Sequence, residues 1–325
     1  MRWISRALWL VAALTLAGAC YAQSGVPGYP TRAIRVIAPF NAGGPTDVIA
    51  RLFAQKLSED WGTNAYVENI AGAGGNLGTA AAARAPADGY TIVAVSTGFV
   101  VNPSLYARVP YDPVKDFAPV SLIAVSPNVL AVNPSVPART VQELIALIRA
   151  NPGKYSFAGP GIGSTPHLAG ELFRLKYKLD LVHVPFGGGA PAVQSTLGGH
   201  TQIIFSALPT SMTNIRDGGL RAIAIMSAKR HPALPDVPTM AEAGVPDQES
   251  DTLTGLVAPA ATSKEIVAAL HREVTKMVAD PTAKERLDSL GFVPVGNTPD
   301  EFAARIKTEL AKWGDVVRAA NIKIE

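Results

Sequence analysis

"AIRVIAPFNAGGPTDVIARLFAQKL", residues 33–57, sets out the fold in miniature. The apolar, β-branched run 33–39 reads as a strand. "TDVIARLFAQKL" (46–57) repeats its apolar residues at helical spacing and reads as an amphipathic helix. Between them lies the glycine turn "PFNAGGPTD" (39–47). A Walker-type phosphate loop would end in Gly-Lys-Ser/Thr, and a dinucleotide fingerprint needs G-x-G-x-x-G. Gly43-Gly44 instead leads into Pro45-Thr46-Asp47, so neither reading holds.

The same strand, small-residue loop and helix recur along the chain. "NAYVEN" (64–69), "YTIVAVS" (90–96), "NVLAVN" (128–133), "YSFAG" (155–159), "DLVHVP" (180–185), "TQIIFSA" (201–207) and "LRAIAIM" (220–226) read as strands. "TVQELIALIRA" (140–150) and "HLAGELFRLKY" (167–177) are helices between them. This alternation predicts an α/β fold with mainly parallel sheets flanked by helices. The last third is mainly helical: "SKEIVAALHREVTKMVA", "TAKERLDSLG" and "PDEFAARIKTELAKWGDVVRAA". At 325 residues, 48% hydrophobic, the chain is long enough for two lobes with separate cores.

Pro45, Pro166, Pro191 and Pro209 each follow a loop of small residues and open a helical pattern. Proline suits the first helical turn, where its missing N–H would have no partner anyway. Such helix starts at the carboxyl ends of strands are anion sites. One of them contributes roughly 0.3–2 kcal/mol, whereas micromolar binding needs about 8 kcal/mol. Several must converge in a cleft that excludes water.

The first 22 residues read as an export leader: Arg2 and Arg6 precede the apolar "ALWLVAALTLAGA", and small residues allow a cut after Ala22. "LAGAC" resembles a lipoprotein box with one alanine too many, so a lipid anchor on Cys20 is the alternative to a soluble periplasmic protein starting at Gln23. Cys20 is the single cysteine, so a chain cut after Ala22 has no disulfide and no thiol nucleophile. The formal charge of +3, less Arg2 and Arg6, leaves about +1, which offers no basic patch for nucleic acid. The five histidines show no metal-ligand spacing, and no metal or cofactor is expected.

"PFNAGGPTD", "VENIAGAGGNLG", "ADGYTI", "NPSLY", "PYDPVKDFAPVSLI", "HLAGELF", "VPFGGGAPAV", "PDVPTMAEAGV" and "GLVAPA" occur in this order from Tyr29 to the C-terminus. They resemble the signatures of the Bug/TctC family, the extracytoplasmic solute receptors of bacterial tripartite tricarboxylate transporters. The resemblance implies a two-lobed periplasmic binding protein (type II-like), a monomer that grips a carboxylate in its cleft and docks transiently on membrane permease subunits. It implies lobe one at 28–125 and 251–325 and lobe two at 126–250, with "NVLAVN" and "TGLVAPA" as crossovers. One pocket wall would be Phe40, Asn41, Ala42, Gly43, Thr46 and Asp47, with Ser96 and Thr97 beside it. The other would be Gly161, Gly163, Ser164, Thr165 and His167, with Phe186, Gly187 and Ser206.

The departures from the family pattern bear on the ligand. Family members usually carry Tyr-Lys-Gly at Phe186-Gly187-Gly188, Phe-Asp-Asn at Phe205-Ser206-Ala207, and an aspartate at Ser195. "WFGL" is usual at Leu253-Thr254-Gly255-Leu256. The missing acidic groups argue against an amino-acid ligand, and the smaller residues favour a dicarboxylate with a larger apolar body such as terephthalate. Citrate-like acids stay open. Two other functions share these features. A receptor of the same fold would serve a membrane sensor kinase. An enzyme would need a nucleophile and base; Ser164 and His167 lie close, but G-x-S-x-G is absent. Asp47 as a general base competes with a plainer role at its own helix N-terminus.

Overall fold

The structure, a computed structural model, describes residues 25–324. The expected leader with Cys20, and the expected start at Gln23, lie outside the described residues. Among the described residues, ten strands form one chain of pairings in the order β2-β1-β3-β9-β4-β7-β5-β6, with β10 and β8 both on β4. The strands are β1 (Ile34–Ala38), β2 (Ala65–Asn69), β3 (Thr91–Ser96), β4 (Phe117–Val132), β5 (Ser156–Pro160), β6 (Val182–Phe186), β7 (Ile203–Ala207), β8 (Arg221–Ile225), β9 (Asp251–Pro259) and β10 (Val293–Pro294).

β4 divides this assembly. Its residues 117–127 pair with β9, and its residues 128–132 pair with β7. Pro127, which has no N–H for a ladder, lies at the changeover. The first sheet is β2-β1-β3-β9-β4-β10 and the second is β6-β5-β7-β4-β8. The expected parallel pairs are present, β1 with β2 and β3, and β5 with β6 and β7. β4 and β9 run antiparallel to their neighbours, so both sheets are mixed. "NVLAVN" lies within the second sheet and "TGLVAPA" within the first: the chain changes sheets directly before the first segment and a few residues before the second.

Helices cover both faces of each sheet. α1 (Pro45–Trp61), α8 (Lys264–Ala279) and α9 (Pro281–Ser289) close a core around Phe53, Leu57, Trp61, Leu270 and Leu287. α2 (Asn76–Ala83), α3 (Gly98–Leu105) and α10 (Pro299–Ala319) close the opposite face around Val101, Phe302 and Trp313. On the second sheet, α4 (Val141–Arg149) and α5 (Thr165–Tyr177) pack with Phe157, Phe173 and Phe205, and α6 (Gly189–Leu197) and α7 (Leu208–Arg216) with Val129 and Ile204. The expected prolines all lie in first turns: Pro45 opens α1, Pro166 and Pro209 are second in α5 and α7, and Pro191 is third in α6. Among the described residues, no helix is long and apolar enough to cross a membrane.

Candidate functional site

The strand directions place the site. β4 is antiparallel to β9, and β9 to β3, so β4 runs with β3 and leaves the first sheet at the carboxyl edge of β1, β2 and β3. In the second sheet β4 is antiparallel to β7, which is parallel to β5; β5, β6 and β7 therefore run back toward the changeover. The carboxyl edges of the two sheets face each other across residues 126–128 and 250–251, the position where open α/β sheets bind ligands.

Three loops adjoin on the first edge. The Phe40 ring lies against Gly75, where an added Cβ would sit 3.1 Å from the ring, and one at Gly98 would sit 3.1 Å from the Gly74 carbonyl. Three more adjoin on the second: a Cβ at Gly161 would lie 4.0 Å from the Phe186 carbonyl, and one at Gly189 would lie 2.8 Å from Thr210. The two sides meet where Gly163 presses on Leu105. Leu168 of α5 joins the first-sheet core beside Leu105 and Trp313.

Capping separates these helices from the rest. Thr140, Ser263, Asp280 and Thr298 cap α4, α8, α9 and α10 with side-chain oxygens. α1, α2, α3, α6 and α7, which follow β1, β2, β3, β6 and β7, begin on Gly44, Gly75, Thr97, Gly188 and Ala207 with no side-chain cap. Thr97 has a hydroxyl, but its Oγ1 accepts the Leu253 N–H at 2.9 Å. α5 has only the long 3.4 Å bond from the His167 N–H to Ser164 Oγ. First-turn amides without caps thus gather on the two facing edges, where helix dipoles favour an anion.

A family model for the tripartite tricarboxylate transporter family receptor, TctC, matches residues 49–322. The chain belongs to that family. It is 38% identical over 299 residues to protein BugT of Bordetella pertussis, covering 91% of this chain and 92% of BugT. Among solved structures, adipate-bound Rpa4515 of R. palustris is 35% identical with a TM-score of 0.80, covering 91% of this chain and 100% of that one. Malate-bound MatC (Rpa3494) of Rhodopseudomonas palustris is 32% identical with a TM-score of 0.76, covering 89% and 100%. TctC receptors are substrate-binding proteins, and the structural neighbours are two-lobed periplasmic binding proteins.

In this TctC receptor the expected site residues fall into two groups. Phe40, Asn41, Ala42, Gly43, Ser96, Gly161, Gly163, Ser164, Phe186 and Gly187 are exposed or half-buried, while Thr46, Asp47, Thr97, Thr165, His167 and Ser206 are buried. Asp47 does not cap its helix. Its carboxylate accepts the Gly43 N–H at 2.8 Å, Arg51 Nε at 2.9 Å and Asn69 Nδ2 at 2.8 Å. Burial would raise its pKa; the bonds from Arg51, Gly43 and Asn69 outweigh that and hold it below the ordinary carboxylate range. The Gly43 amide is therefore engaged within the loop.

Ser206 too is engaged within the protein. It is 1% exposed, pairs across from Val129, and accepts a 2.7 Å bond from Ser211 Oγ. Ser195 is buried and hydrogen-bonded to Thr201 at 3.2 Å. Both hydroxyls are thus hydrogen-bonded within the protein. Ser164 Oγ donates to the Pro160 carbonyl at 3.2 Å, and His167 Nδ1 accepts from the Gly163 N–H at 3.0 Å. The two side chains are engaged elsewhere and form no nucleophile–base bond.

Sequence reasoning passed over the residues that hold the loops. Asn69 Nδ2 ties the Phe40 carbonyl at 3.0 Å as well as Asp47. Asn102 Nδ2 reaches the Gly74 carbonyl at 3.0 Å and Asn76 Oδ1 at 2.8 Å, and the Tyr111 hydroxyl donates to the same Oδ1 at 3.2 Å. Asn69 and Asn76 flank the glycine-rich stretch "IAGAGG", which was the one available signal.

The imidazoles of His167 and His183 stack with centroids 4.0 Å apart. Burial, then His183 and Arg174, push His167 down to about 3, and burial pushes His183 down to about 4. Both are neutral in the native state at pH 5, whereas the unfolded chain takes up protons below about 6.5. Their stabilisation is therefore full above that value and lost as pH falls through it toward 4. Urea unfolding at pH 7 and 5 should differ by up to about 2 kcal/mol for His167, and less for the more accessible His183. His167→Gln should flatten the profile between these pH values.

Proposed function

We propose that this TctC receptor captures an organic dicarboxylate between its lobes in the periplasm and delivers it to a tripartite tricarboxylate-type membrane permease. One observation carries the reading: uncapped helix N-termini gather on two facing sheet edges, where a carboxylate at each end of a ligand would complete them. Their number answers the energetic requirement, since no single N-terminus approaches the roughly 8 kcal/mol of micromolar binding. Two relatives bind adipate and malate, which agrees with this. The half-buried Phe186 offers an apolar contact for the body of the ligand, which keeps terephthalate among the acids to screen.

In this reading lobe one is 28–125 with 251–325 and lobe two is 126–250, supported by the change of β4's partners around Pro127. The pocket is lined by the loops at Phe40–Gly43, Ser96, Gly161–Ser164 and Phe186–Gly187, with Asp47, Thr46, Thr97, Thr165, His167 and Ser206 behind them. The protein binds and does not transform its ligand, and it acts as a monomer.

The test is calorimetry and thermal shift with adipate, malate, terephthalate and citrate. A true ligand at a hundred times its Kd stabilises the fold by about 2.7 kcal/mol. It should also shrink the radius of gyration in small-angle scattering as the lobes close. Mass spectrometry should recover the acid unchanged. A chemically altered product, or no binding to any dicarboxylate, overturns the proposal.

A further inference from the structure

We infer that His167 is the positioning residue of the loop between β5 and α5: its unprotonated Nδ1 holds the bend at Gly163 on which that loop's shape and its contact with Leu105 depend. This deepens the proposed function and rests on it for the loop's ligand role. Gly163 has φ +80, in the left-handed region, and the His167 ring reaches back one turn to accept its N–H at 3.0 Å. The other nearby acceptor is engaged, since Ser164 Oγ takes the His167 N–H and itself donates to Pro160. The bend in turn seats the backbone against Leu105 of α3, so closely that an added Cβ would lie 2.0 Å from Leu105 Cδ2. One imidazole nitrogen thereby links the ligand loop to the contact between the two sides.

The ring is built to do this and to do nothing else. It is 4% exposed, stacked on His183, and parallel to Phe157 at 6.5 Å. His183 is itself backed by Gly159, where a Cβ would stand 2.9 Å from its Nε2, so the stack has no room to slide. With Nδ1 accepting, the ring proton sits on Nε2. That atom faces Glu171 Oε1 at 3.9 Å, and Arg174 holds the same carboxylate through Oε2 at 2.7 and 2.9 Å. Burial and the neighbouring His183 and Arg174 keep the ring neutral across the ordinary pH range, so the acceptor is permanent. Nδ1 is bonded to Gly163 and the ring is buried, which places His167 behind the ligand-facing loop rather than in it.

The test uses the whole isotope-labelled chain, with adipate and malate as probes. Wild type should show a through-hydrogen-bond coupling between the Gly163 amide nitrogen and His167 Nδ1. His167→Phe keeps the stack and removes the acceptor. It should abolish the coupling, speed Gly163 amide exchange and weaken binding by about tenfold or more. His167→Asn, whose Oδ1 falls near the position of Nδ1, should restore affinity to within about threefold of wild type. The inference is overturned if wild type shows no coupling, if the Phe variant binds as tightly as wild type, or if Asn is as weak as Phe. If wild type binds neither probe, the functional reading is left to the wider acid screen, and the coupling with the Gly163 exchange rate still decides the role of His167.

Discussion

Valine at position 163 is expected to weaken dicarboxylate binding by about a hundredfold or more, equivalent to roughly 3 kcal/mol. Two separate effects act at this glycine. Its φ of +80 lies where an L-residue costs about 1–2 kcal/mol, and a β-branched side chain is a genuine outlier there. Its Cβ would also stand 2.0 Å from Leu105 Cδ2, far inside any real contact, so the loop must withdraw or Leu105 must move. Leu105 is 3% exposed in a packed core and cannot move cheaply. The two effects separate in a double-mutant cycle. Gly163→Ala combined with Leu105→Ala should recover most of the affinity lost by Gly163→Ala if the clash dominates, and little if the backbone does. Calorimetry reads the affinity and scattering reads closure. A Gly163→Val protein that binds and closes like wild type would remove this loop from the closing surface.

Asp47→Ala should lower stability by about 3 kcal/mol and disorder the first glycine loop, because a buried charged partner is removed from three donors at once. Arg51 is 52% exposed and can turn to water, which places the cost at the lower end of the range for buried pairs. Removing the carboxylate also frees the Gly43 N–H, and Asn69 Nδ2 keeps only its bond to the Phe40 carbonyl. Ligand affinity should fall together with stability. The pH dependence identifies the cause: the carboxyl is held below its ordinary pKa, so its stabilisation is present above about 3.9 and is lost as pH falls through the lower native value. Urea midpoints of wild type and Asp47→Ala should therefore differ widely at pH 7 and converge toward pH 2. An equal gap at both would mean that packing, not the carboxylate, carries the effect. The histidine loss begins near pH 6.5 and the Asp47 loss only below about 3.9, so the wild-type and Asp47→Ala profiles differ in shape only at the acid end.

Whatever depends on neighbours along the chain could be read from the sequence. Strand and helix periodicity placed β1, α1 and the C-terminal helices, and proline after small residues marked the starts of α1, α5, α6 and α7. The ordered run of motifs identified the family. Side-chain direction at the site could not be read in this way. Thr97 is tied to Leu253, 156 positions away, and Asn69 reaches back to Asp47 and Phe40. Ser206, expected in the pocket wall, is buried and bonded to Ser211, and Ser195 is bonded to Thr201. A residue's type states which hydrogen bonds it is able to make. Which of them it makes is settled by partners that only the folded chain brings within 3 Å, because a buried polar group must be satisfied there before it can serve a ligand.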